Sequence, residues 1–149
     1  MKRFNFPLQA ILTLRALKQE QALEIYAKSV QDCAAKRSSM LVAARRADDL
    51  ERLLSQNDGT PFSAAMRHAY LKAFDEARDE VLRREAVLAE AEKVKEKHLG
   101  EFLDRKRQKE ILEHLREKQI KEHMAEGYRK EELEIEDLVI ARSSIAKSA

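Results

Sequence analysis

Four histidines, one cysteine and a dense population of carboxylates are the side chains of this 149-residue chain that could do chemistry. The histidines are His68, His98, His114 and His123. A catalytic zinc needs about three converging protein ligands. Here Glu110 and His114 share a helical face, one turn apart, but so would many random pairs. In a chain that is 38% charged, such a pair follows from composition alone. Both read as solvated helix-face residues, with no metal and no cofactor. Cys33 falls on an apolar repeat and reads as a buried packing thiol, not a nucleophile. A lone thiol excludes an internal disulfide and fits a reducing compartment. There is no glycine-rich phosphate loop and no G-x-S-x-G motif. These residues point away from an enzyme.

The densest basic stretch is Arg105, Lys106, Arg107 and Lys109. It could touch phosphates, but Glu101 to Glu132 holds nine Lys and Arg against nine Asp and Glu. The net charge is only +2. A locally balanced charge run of this kind is a solvated face, so no nucleic-acid partner is expected. No apolar stretch approaches the ~20 residues of a membrane span, and the start is not a secretory signal. A cytoplasmic protein without direct membrane insertion is the expectation.

The elements that carry these residues are helices. Aromatics are 5% of the chain, with 3 Gly, 2 Pro and no Trp. Such a breaker-poor, charge-rich composition reads as long helix or coiled coil. The one cluster of breakers is Ser55 to Phe62, "SQNDGTPF". Gly59 suits the residue just past a helix end, and Thr60-Pro61 suits an N-cap and first helical position. Pro7 suits the first turn of an earlier helix. The pattern predicts a single domain over 1–149, with helix one over about 7–55, a loop over about 56–61, helix two over about 62–142 and a frayed tail over about 143–149.

Helix one carries a heptad seam: Leu8, Leu12, Arg15, Gln19, Ala22, Tyr26, Ser29, Cys33, Lys36, Met40, Ala43, Ala47, Leu50 and Leu54. Leu23, Val30 and Ala44 are expected to widen it. Helix two opens with Met66, Tyr70, Phe74, Ala77, Val81, Leu88 and Ala91. Its seam then thins. Ile111, Leu112, Leu115, Ile120, Met124 and Tyr128 follow in a spacing that suggests a stutter. Gly100 and Gly127 each cost about 1 kcal/mol relative to alanine and are candidate bends. Acid-before-base pairs at i,i+4 (Glu24–Lys28, Asp79–Arg83, Glu80–Arg84, Glu101–Arg105, Glu117–Lys121 and Glu126–Lys130) each add about 0.3 kcal/mol.

Two heptad helices joined by a short loop predict an all-α fold, a long antiparallel coiled-coil hairpin whose second helix is the longer. At ~1.5 Å per residue, helix one spans roughly 70 Å and helix two roughly 120 Å. Helix one then pairs with helix two only as far as about Glu110, and Ile111 onward is expected to overhang. The stripe Tyr70, Phe74, Ala77 and Val81 has two readings. It closes the loop end of the seam, or part of it faces outward as a docking site for another chain.

The N-terminus is the most specific stretch. Phe4-x-Phe6-x-Leu8-x-x-Ile11-Leu12-x-Leu14-Arg15-x-x-x-x-Glu20-x-Ala22 resembles the N-terminal signature of the flagellar export protein FliJ family, whose stalk relatives occur in virulence-type type III secretion systems. The length, the longer second helix and the acidic–basic stretch from Arg129 to Arg142 match as well. The resemblance implies a non-catalytic stalk similar to the central stalk of rotary ATPases. It implies binding to the hexameric flagellar export ATPase and to the cytoplasmic domain of the export gate, with a link to export chaperones. It also implies a position at the cytoplasmic face of the inner membrane, held there through partners. On that basis Lys2, Arg3, Phe4, Phe6 and Leu8 are the ATPase-ring contact candidates. Tyr70, Phe74, Ala77 and Val81 are the export-gate candidates. Leu12, Tyr26, Cys33, Met40, Leu50, Leu54 and Leu88 hold the seam. A generic coiled-coil scaffold or substrate-holding chaperone is the alternative. Either Phe4 and Phe6 close the tip against the chain's own second helix, or they are presented to another protein.

Overall fold

The computed structural model describes residues 2–56 and 63–148. Two helices account for nearly all of them: α1, Gln9–Ser55, and α2, Ala64–Ser148. The all-α hairpin with a longer second helix is therefore observed. Asn57 to Phe62, which carry the expected turn, lie outside the described residues. The cap expected at Thr60-Pro61 lies outside them too. The Met66 N–H donates to Ser63 Oγ at 3.2 Å, so Ser63 supplies the oxygen an N-cap needs. The far end differs from expectation. The tail expected to fray from about residue 143 is helical as far as Ser148. The helical assignment also runs unbroken through Gly100 and Gly127.

Burial along α1 follows the seam closely. Every residue of α1 that is not solvent-exposed lies on it, apart from Ala16 and Ala44. Leu23 and Val30, expected to widen the seam, are exposed instead. One residue off a coiled-coil seam is about 100° away around the helix, so Leu23 and Val30 stay in water, and of the three expected to widen it only Ala44 is half-buried.

The seam of α2 is more regular than its apolar residues suggest. Steps of four and three from Tyr70 reach Phe74, Ala77, Val81, Arg84, Leu88, Ala91, Lys95, His98 and Phe102, and all of these are buried or half-buried. The same steps pass exposed Arg105, then Lys109, Leu112, exposed Arg116, Gln119 and His123. No stutter interrupts this repeat. Polar side chains with long stems occupy seam positions and lay their methylenes against the neighbouring helix. Met66, Ile111, Met124 and Tyr128, expected on the seam, are exposed.

The structure divides into two compact units. The first comprises Glu20–Leu103. Apart from Leu88, its buried residues are small: Ser29, Cys33, Ala43 and Ala47 from α1, and Ala77 and Ala91 from α2. Small side chains let two helices approach closely, at the cost of little apolar area per residue. Cross-helix polar contacts fix the register. Arg37 Nη2 donates to Glu92 Oε1 at 2.9 Å, and Arg84 Nη1 donates to the Ser39 carbonyl at 2.7 Å. The pairing is antiparallel, since the earlier α1 residue meets the later α2 residue. Arg84 is held by Glu80, whose carboxylate also takes Arg83. Hydrogen bonds from Arg83 and then Arg84 lower the Glu80 pKa below the usual carboxylate range.

The second unit comprises the N-terminal residues up to Gln19 and α2 from Asp104 onward. Arg15 Nη1 donates to the Gln108 carbonyl at 2.7 Å, again an antiparallel register. Its buried apolar residues are Phe6 and Leu112, 5% and 6% exposed. Gln19 Oε1 is buried here without a hydrogen-bond partner.

Ion pairs decorate the exposed faces. Of the i,i+4 pairs expected from the sequence, Glu80–Arg84 forms at 2.9 Å and Glu126–Lys130 at 3.8 Å. Glu101 and Glu117 instead meet His98 and His114, three residues before them. Exposed pairs of this kind cost little to rearrange.

Candidate interaction surfaces

The N-terminal residues enter α1 through a tight turn. Pro7 disfavours helix at the residue before it, and Phe6 lies outside the helix. The Gln9 N–H donates back to the Phe6 carbonyl at 3.1 Å, which closes a turn with proline at its second position. The Leu8 carbonyl then accepts the Leu12 N–H at 2.9 Å. Pro7 thus sits just outside the helix, not within its first turn.

That turn sends residues 2–6 along α2 as a non-helical arm. At its far end His123 Nε2–H donates to the Lys2 carbonyl at 2.8 Å. A carbonyl can only accept, so the proton lies on Nε2. The His123 ring also meets the Phe4 ring, with centroids 5.6 Å apart and planes tilted by 54°. Phe6 is buried. The arm therefore covers part of α2 that helix arithmetic leaves bare, and the uncovered part begins near Tyr128, not at Ile111. From Tyr128 to Ser148 every residue is exposed.

This geometry sorts the ATPase-ring candidates. Lys2 and Arg3 are exposed, and Phe4 and Leu8 are half-buried. Phe6 is packed inside its own chain and reaches the surface only at the edge of a recess. Arg3, Phe4, Asn5, Phe6, Gln9 and Arg116 line an open recess of about 490 Å³. Lys2, His123, Gly127 and Lys130 border a second, of about 270 Å³, with Glu126, Glu131 and Glu134.

The export-gate candidates lie in the other unit. Ala77 is buried, while Tyr70, Phe74 and Val81 are half-buried on the seam. Phe74 and Val81 still reach the wall of an open recess of about 460 Å³, with Ala47, Asp48, Arg78 and Leu82. The Arg78 guanidinium stands 5.7 Å from the Phe74 ring centre, a cation–π distance. Ala77 thus lies inside the seam, while Phe74 and Val81 are partly accessible at its border.

Of the seam candidates, Cys33 and Leu88 are buried, and Leu12, Tyr26, Met40, Leu50 and Leu54 are half-buried. The cluster Arg105–Lys109 is occupied locally. Arg107 pairs with Asp104 at 3.3 Å, Lys109 with Glu113 at 3.3 Å and Lys106 with Glu110 at 3.9 Å. Glu110 and His114 go to separate partners, Lys106 and Glu117. Among the described residues no three His, Cys, Asp or Glu side chains converge. Among them, too, no helix is long and apolar enough to cross a membrane. Sequence reasoning overlooked His123 as the residue that ties down the arm. Its place in the four-three repeat of α2 was the available signal.

No curated protein and no solved structure matches the chain. A family model described as Flagellar FliJ protein matches residues 4–146.

Proposed function

The chain belongs to the flagellar FliJ family, and we propose that it acts as a non-catalytic stalk and coupling component of the flagellar type III protein export apparatus. The observation that carries this reading is the family match along nearly the whole chain. Membership supports an export-related role. The proposal adds the partners: the hexameric export ATPase, the cytoplasmic domain of the export gate, and export chaperones. It places the protein in the cytoplasm, held at the inner membrane by those partners.

The geometry supports a division of labour. The ATPase ring takes the end where the arm meets α2. Lys2 and Arg3 offer exposed charge there, and Phe4 offers one ring edge. Phe6 acts indirectly, by anchoring the arm. The gate takes the face around Phe74, Arg78 and Leu82.

Two variants of the full chain test the assignment in a pull-down with the ATPase hexamer, paired with ATPase assays with and without the protein. Lys2→Glu with Arg3→Glu should abolish capture while circular dichroism stays unchanged. Phe74→Ser should leave capture intact and weaken binding to the gate domain. Capture that survives the charge reversal removes the arm from the ring interface. A native chain that neither binds the hexamer nor alters its turnover ends the coupling proposal.

A further inference from the structure

The uncovered end of α2 carries a pattern that reads the same from both directions. Steps of three and four from Tyr128 give Tyr128, Glu131, Ile135, Leu138, Arg142 and Ile145. This is one helical face in heptad spacing. Its apolar members are 56%, 60%, 65% and 70% exposed, for Tyr128, Ile135, Leu138 and Ile145 in turn. Glu131 and Arg142 interrupt it symmetrically. No ion pair engages either of them among the described residues, although Lys130, next to Glu131, is paired to Glu126.

We infer that two copies of this chain associate through this face, antiparallel, about a two-fold axis between Ile135 and Leu138. In that register Tyr128 meets Ile145 of the second copy, Glu131 meets Arg142, and Ile135 meets Leu138. Each contact occurs twice, as a two-fold interface requires. The charges select the orientation. A parallel pair would stack Glu131 on Glu131 and Arg142 on Arg142, both repulsive, while the antiparallel pair matches each with its opposite. The flanking residues agree: Glu132 and Glu134 fall beside Val139 and Ala141 of the other copy, so no acid faces an acid there. Glu136 and Asp137 point outward. Four apolar side chains per copy leave water, and two charges without partners gain them. The inference does not depend on the coupling role. It does give the exposed stripe an occupant when no other partner is bound.

The full-length chain, followed by light scattering after gel filtration across a concentration series, tests this. The native protein should shift from monomer to dimer as concentration rises. Glu131→Arg alone and Arg142→Glu alone should each weaken dimerisation about tenfold or more, because two pairs are lost per dimer and like charges replace them. The double variant Glu131→Arg with Arg142→Glu restores complementarity in the antiparallel register and should recover dimerisation. Circular dichroism reports whether each variant keeps its helices. A native chain that stays monomeric to its solubility limit overturns the proposal. So does dimerisation that neither single variant weakens, or a double variant that fails to recover it.

Discussion

Phe4 and Phe6 are two residues apart, yet they do different work. Phe6 is buried and Phe4 lies half-exposed against His123. Phe6→Ala should therefore cost about 3 kcal/mol, the range for a buried aromatic truncation. Phe4→Ala should cost about 1 kcal/mol, the worth of a ring pair. Urea denaturation of the two variants checks the ordering. The two rings were visible in the sequence, but their fates were not. Pro7 keeps the preceding residue out of the helix and the turn at Gln9 sets where the arm leaves it, and neither effect shows in hydrophobic spacing. Glu80 gives a second test at this scale. Its native pKa is lowered by Arg83 and Arg84, so it binds fewer protons folded than unfolded. Its contribution is present above the ordinary carboxylate value of about 4.3 and is lost as pH falls through the lowered one. Glu80→Gln should flatten the acid limb of the stability profile in that window, and pH-resolved thermal melts would show it.

At the scale of the helices, the seam of α1 was legible almost residue for residue, since ten of its positions are apolar and the spacing never breaks. That of α2 was legible only as far as Ala91. Beyond it Lys95, His98, Lys109, Gln119 and His123 share the seam positions with Phe102 and Leu112. A reading by hydrophobicity skips long polar side chains whose stems are buried. The apparent stutter came from following exposed Ile111 and Met124 instead. The small residues at Cys33, Ala43, Ala47, Ala77 and Ala91 are buried on the seam, where their size lets the two helices approach closely. Ala43→Leu should overpack that seam and cost about 1–3 kcal/mol. A matched Val42→Leu change on the exposed neighbouring position should cost little, and thermal melts of the two compare them directly.

At the scale of the whole chain, covered and uncovered backbone differ. Residues 128–148 are helical without any intrachain cover, so their amides should exchange with solvent well before those around Leu88 and Ala91. Hydrogen exchange resolved by peptide would test this, and dimerisation should slow exchange in that same segment. The overhang itself was foreseen, but placed too early, because helix arithmetic counts rises along α1 and gives no length to a non-helical arm. The lone thiol carries one more consequence. Cys33 is buried at 4% exposure, and no second cysteine competes with it. A thiol reagent can reach it only when the surrounding helices part. The rate at which the unmodified protein is labelled therefore serves as a built-in clock for opening of that unit, and any partner that clamps these helices together would slow it.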